Sequence, residues 1–154
     1  MSMLDRFRKK GGFEQLQLLL ETSVPSKRDQ LLELIEKEDS GWAVMLRTRL
    51  LTIDAIFSWD VETLKLIVPH INDRILAYSI IDATEEEKHR ISQTMTQLKW
   101  DEVNIHWAKT RPGQTEIYAA QIQIVSLVRK LDSEGYIRFI DIDPKWELIS
   151  SMVA

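Results

Sequence analysis

Apolar residues recur along most of this chain at the three-to-four-residue spacing of a helical face, and seldom alternate as in a strand. In "FEQLQLLLET" that spacing places Phe13, Leu16, Leu19 and Leu20 on one side of a helix. "SVPS" breaks it, and Ser26 with Asp29 three residues on predicts the capped start of a second helix burying Leu31, Leu32 and Ile35. The polar "EKEDSG" ends that helix, and "WAVMLRTRLL" predicts a third. From Ile53 the helices shorten. Asp60 is predicted to cap "VETLKLIV", which Pro69 closes because proline lacks the N–H a helix interior needs. Asn72 caps "DRILAYSII", and Thr84 with Glu87 forms a capping box for "EEEKHRISQTM", whose leading acids suit the helix dipole.

After the loop "KTRPGQ", Thr115 is predicted to cap a long helix from Glu116 to about Ser133, with Ile117, Ile124, Leu127, Val128 and Leu131 as its apolar line. Gly135 is its natural stop. "YIRFIDI" is β-branched and aromatic enough for a short strand, and "DPKWELISSMV" fits a final helix capped by Asp143 or the return arm of a hairpin. The fold class is therefore all-α: an irregular armadillo-like stack of short helices in two small subdomains, with a short strand or hairpin at the C-terminus. Helices this short are marginal alone and take their stability from packing.

One segment carries more apolar surface than a surface helix needs. In "TQLKWDEVNIHW", Trp100, Val103 and Trp107 align on one face at about 100° per residue, while Leu98 and Ile105 align on the other beside Asp101, Glu102 and Lys109. The second ridge is either core under another segment or a contact surface.

Composition narrows the chemistry. The chain has 154 residues, 44% hydrophobic and 29% charged, which is globular rather than disordered. A formal net charge of -4 gives no basic footprint for nucleic acid. With no Cys there is neither a disulfide scaffold nor thiolate chemistry. No apolar run approaches the roughly 18 residues of a membrane span. "MSMLDRFRKK" lacks the apolar region of a secretory signal and reads as a frayed, solvated basic tail. Phosphate-loop, dinucleotide, nucleophile-elbow and zinc-helix motifs are missing. His70, His89 and His106 stand far apart, with no partner at ligand spacing. Glu85, Glu86 and Glu87 point in different directions around a helix, and "DIDP" lacks the glycine and later glutamate of a calcium loop. The expectation is a non-enzymatic interaction protein with no cofactor and no metal.

The order of these segments resembles the C-terminal half of the flagellar motor switch protein FliG family. The likeness runs from "GGFEQLQLLLETSVPSKRDQ" through "EKEDSGWAVMLRTR", "ATEEEKHRISQTMTQL" and Pro112 to "IVSLVRKLDSEGYI", covering roughly residues 11 to 140. It implies a basic tail and Gly-Gly linker over 1–12, a small armadillo-like unit over 13–49, an apolar hinge over 50–53 and a C-terminal helical bundle over 54–154. Gly11 and Gly12 fit the linker. Where the family hinge reads Met-Phe-x-Phe, this chain has Leu50, Leu51, Thr52 and Ile53.

That resemblance also implies partners and a departure. Its function would be that of a rotor and switch component in bacterial motility and chemotaxis, cytoplasmic or held at the inner face of the membrane through partners. Those partners would be FliG-like or FliM-like switch proteins, or further copies of the chain. The family places a lysine, an arginine and two aspartates on the face that meets the charged stator; the matching positions here are Ile81, Leu98, Ile105 and His106. The torque residues are not retained, and electrostatic pairing needs charges of defined sign. The expected partner-binding set is Tyr78, Ile81, Leu98, Asp101, Glu102, Ile105 and His106. The alternative is a diverged FliG-like adaptor or scaffold that no longer makes the charged stator contact.

Overall fold

The computed structural model describes residues 3–109, 111–143 and 145–146. They divide into two compact units. Residues through Leu51, with those after Ile142, form the first, and Thr52–Ile142 form the second.

The first unit begins with a 3-10 turn, Met3–Phe7, followed by α1 (Gly12–Glu21), α2 (Pro25–Glu38) and α3 (Ser40–Arg49). Its core joins Leu4 to Leu16, Leu20, Leu32, Ile35, Ala43 and Leu46. The basic start is thus not a frayed tail. Leu4 is fully buried, and the Glu38 carboxylate accepts from the N–H groups of Met3 (2.9 Å) and Leu4 (3.1 Å). Its charged neighbours stay outside. Arg8 reaches the Asp39 carboxylate at 3.1 Å and lies over the Trp42 ring, which packs edge-on against Phe13 at 5.3 Å.

Gly11 and Gly12 have defined geometric duties. Gly11 adopts φ 79°, a left-handed conformation that favours glycine. Gly12 is buried at the first position of α1, and a Cβ there would lie 1.8 Å from the Phe7 carbonyl oxygen. Helix α2 starts differently from expectation. Val24 is its N-cap and Pro25 takes the first helical position, so Ser26 lies inside the helix. Proline's fixed φ made the side-chain cap unnecessary.

The second unit is a series of short helices. They are α4 (Ile53–Phe57), α5 (Val61–Ile67) with a 3-10 turn Val68–His70, α6 (Asp73–Ser79), α7 (Glu85–Ser92), α8 (Gln97–Lys109), α9 (Gln114–Ser133) and α10 (Phe139–Ile142). Local side chains start most of them. Thr52, Asp60 and Asn72 accept from the N–H groups of Ala55, Thr63 and Arg74. Thr84 and Glu87 form the predicted capping box, and Thr96 accepts from Lys99 N–H. Thr115 is not a cap. Gly113 precedes α9, and Glu116 reaches back to accept its N–H at 3.2 Å.

Helix α9 buries Ile117, Ala120, Ile124, Val125, Val128 and Leu131, while Leu127 is half-buried. Gly135 ends it at φ 82°. The predicted strand in "YIRFIDI" is absent: turns lead into α10, where Phe139 is buried and its N–H reaches Asp132 at 3.1 Å. With no strand among the described residues to pair with, β-propensity gives way to burial of the aromatic ring. Phe139 packs against Trp59 at 6.0 Å. Asp143 accepts from Lys145 N–H at 3.0 Å; the rest of the final helix-or-hairpin question lies outside the described residues.

Candidate functional site

Two neighbours hold α6, and they explain how α8 is presented. The last carbonyls of a helix lack intrahelical partners. In α6 the Ala77 carbonyl accepts the Trp107 indole N–H at 2.6 Å, and the Ser79 carbonyl accepts from Gln121 Nε2 at 3.1 Å. Helices α8 and α9 thereby each satisfy one orphan group of α6. Trp107 also meets Trp100 edge-on at 6.0 Å, with Val103 fully buried between their turns, and the Lys88 ammonium lies over its ring.

With Trp100, Val103 and Trp107 turned inward, helical geometry sends the other ridge outward. Leu98 is 71% exposed and Ile105 49% exposed. They lie seven residues apart, two turns on one face and roughly 10 Å along the axis at about 1.5 Å per residue. Asp101 and Glu102, both exposed, lie between them, and Lys109 continues the line. The choice left open by the sequence is resolved: this ridge is surface, not core.

The edge toward α6 is polar. Lys99 pairs with the Asp73 carboxylate at 3.0 Å and stands 3.8 Å from Glu102. Its hydrogen bond to Asp73 raises the Lys99 pKa above the ordinary lysine value. Lys99 and His106 line an open groove of about 520 Å³ with Ile71, Asn72, Asp73 and Arg74. Arg74 also covers the Tyr78 ring at 5.3 Å.

The candidate residues are therefore not equivalent. Leu98, Asp101, Glu102 and Ile105 form one exposed face, and His106 lies on its groove side. Tyr78 on α6 and Ile81 in the turn after it are half-buried. Sequence reasoning passed over Lys99 and Asp73. The signal available was the seven-residue spacing of Lys99 and His106, which puts both on one edge of α8. Leu50 to Ile53 include the boundary between the two units, which falls after Leu51. Among the described residues no cluster of His, Asp and Glu is arranged to hold a metal ion, and no helix is long and apolar enough to cross a membrane.

The family profile described as the FliG C-terminal domain matches residues 33–139, more than half of the chain. The chain belongs to that family. The matched stretch begins within α2, crosses the boundary between the units and ends at the start of α10. Full-length FliG from Aquifex aeolicus is similar at 23% identity and a TM-score of 0.52, over 80% of this chain and 39% of its own. FliG residues 86–343 from H. pylori give 16% identity and a TM-score of 0.62, over 87% of this chain and 64% of that one. A shorter H. pylori FliG structure, residues 116–343, gives 16% and 0.56, over 83% and 57%. At these identities the likeness to the solved FliG structures concerns the fold, and the chain spans less than two thirds of each. No curated protein matches it. Within a FliG frame, the outward face of α8 is apolar and acidic.

Proposed function

We propose that this protein is a non-enzymatic component of a FliG-type rotor or switch assembly, acting through protein contacts on the cytoplasmic side of the motor. The observation that carries this reading is the FliG C-terminal domain match, which spans the connector and nearly all of the second unit. Its partners are FliG-like or FliM-like switch proteins, or further copies of the chain, and these hold it at the inner face of the membrane.

Within that role, the ridge Leu98–Asp101–Glu102–Ile105 is a contact face, with His106 at its edge and Tyr78 and Ile81 as supporting residues. Desolvation of apolar surface contributes about 25 cal/mol per Å² before the costs of association are subtracted. A pair of large aliphatic side chains therefore holds a partner by burial, while the acids between them select for basic flanks. The loss of the family's full charge pattern at Leu98 and Ile105 favours a second reading, an adaptor that keeps the frame and has exchanged the stator for another protein.

The test uses the intact chain and a Leu98→Asp/Ile105→Asp variant, each presented to FliG-like, FliM-like and stator proteins from the same cell. The rotor reading expects a switch protein to bind the parent chain and the double variant to lose it at unchanged helical circular dichroism. Binding only to a protein outside the motor establishes the adaptor. Binding to a switch protein that survives the double substitution removes the ridge from the contact.

A further inference from the structure

Four of the chain's 20 basic residues fall within residues 6–10: Arg6, Arg8, Lys9 and Lys10. All four are exposed, and Asp5 is the one acid beside them in sequence. Without them, 16 basic residues stand against 24 acidic ones, a formal charge of -8 over the rest of the chain. The positive charge of this protein is thus local.

The segment that carries it is built as a lobe of two successive turns. The Arg8 N–H donates to the Asp5 carbonyl at 3.2 Å, and the Gly12 N–H to the Lys9 carbonyl at 2.8 Å. Gly11, at φ 79° and ψ -2°, has the geometry of the second central residue of a type II turn. Lys9 and Lys10 therefore occupy the first two positions of that turn. The start of the lobe is moored by the buried Leu4 and by the Glu38 carboxylate. Among the described residues only Arg8 of the four cations is paired with an acid, Asp39 at 3.1 Å. Arg6 lies over the Phe7 ring at 4.9 Å. Lys9 and Lys10 thus present their charges from an ordered backbone, which leaves less freedom to lose on contact.

We propose that this lobe rests on the anionic headgroups of a lipid bilayer. A stable protein contact buries an apolar centre, and the lobe offers none: Leu4 is fully buried, and Phe7 packs against the same core. A nucleic acid calls for a basic track over many phosphates, and the chain outside these five residues is net acidic. A plane of headgroups asks only for clustered cations, and about four Lys and Arg suffice for a weak attraction. Weak alone, the lobe becomes a second attachment for a protein that its partners hold at the inner face of the membrane. The attraction itself depends on no partner.

The experiment mixes the purified full chain with vesicles of phosphatidylcholine, either alone or with about a third phosphatidylglycerol, and measures bound protein by flotation. The parent floats with the anionic vesicles only, and less so as added salt shortens the screening length. Lys9→Gln/Lys10→Gln lowers the partition coefficient by about tenfold or more, at unchanged helical circular dichroism. Lys65→Gln/Lys130→Gln removes the same charge from the second unit and leaves partition close to the parent. Equal flotation with neutral vesicles, parent-like flotation of the Lys9 and Lys10 variant, or an equal loss in the Lys65 and Lys130 variant overturns the proposal. So does a parent that stays in solution with both kinds of vesicle; capture of polyglutamate in that case assigns the lobe to an acidic protein. No switch protein is present in the mixture, so a negative result leaves the rotor reading untouched.

Discussion

The indole N–H of Trp107 donates to the backbone carbonyl of Ala77 at 2.6 Å, so a side chain of α8 completes the C-terminal end of α6. Trp107→Phe keeps most of the ring and removes the donor, leaving the carbonyl short of a partner. The expected cost is about 1–3 kcal/mol, read as a lower urea midpoint at unchanged slope. A change below about 0.5 kcal/mol would show that water replaces the bond without loss.

The outward ridge behaves differently. Leu98→Asp and Ile105→Asp, made singly, change stability by no more than about 0.5 kcal/mol each, as expected for exposed positions away from caps and core. Val103→Asp on the inward face of the same helix is the control. It places an unpaired carboxylate in the core and prevents folding or lowers the melting temperature sharply. Thermal unfolding of the three variants separates the faces; a large loss in Leu98→Asp would return the ridge to the core.

That contrast marks how far the sequence carried. Two apolar ridges on "TQLKWDEVNIHW" were legible from period alone, but which faced the core was not. Both are apolar, and the choice depends on Ala77 and the rest of α6. Caps written in adjacent residues were readable: Asp60, Asn72 and Thr84 stand where their side chains reach the next turn. The start of α2 was misread because Pro25 offered a second solution, and the strand because burial of Phe139 in α10 outweighs the β-propensity of "YIRFIDI". Leu4 was missed because its four cationic neighbours hide a single buried anchor.

The capping box at α7 is open to a direct measurement. Thr84→Ala removes the acceptor for Glu87 N–H and the hydroxyl partner of the Glu87 carboxylate. The expected loss is about 1 kcal/mol, with Thr84→Ser close to the parent. Equal stability of the alanine and serine variants would contradict the role of the box.

Stability should fall at both ends of the pH scale for different reasons. The Trp42 N–H, followed by Arg8, holds the Asp39 carboxyl below its ordinary value, and the Thr63 N–H does the same for Asp60. A depressed folded pKa contributes stability above the ordinary carboxylate value, near pH 4, and that contribution is lost as pH falls through the lowered values. Lys99 is raised, so its contribution is complete below the ordinary lysine value of 10.5 and is lost as pH rises through the raised one. Melting temperature against pH shows the two limbs. Asp39→Asn, which keeps a capping oxygen, makes the acid limb shallower, and Lys99→Met does the same to the alkaline limb; an unchanged limb in either variant contradicts the assignment.

The glycines differ in kind. Gly135→Ala adds a methyl group into open space and is penalised only for its positive φ, about 1 kcal/mol. Gly12→Ala drives a Cβ into the Phe7 carbonyl and must displace the 3-10 turn that carries Leu4. Calorimetry should therefore show a clearly larger loss for Gly12→Ala. Similar losses would mean that the turn before α1 yields without resistance.

Thr52, Asp60, Asn72, Thr84 and Thr96 tell the backbone of the second unit where five helices begin, and each does so within its own next turn. Leu98 and Ile105 have no part in that instruction. The residues that specify the architecture and those that meet the outside world are thus separable on α8. A change of partner can be written there two side chains at a time, with the architecture left intact.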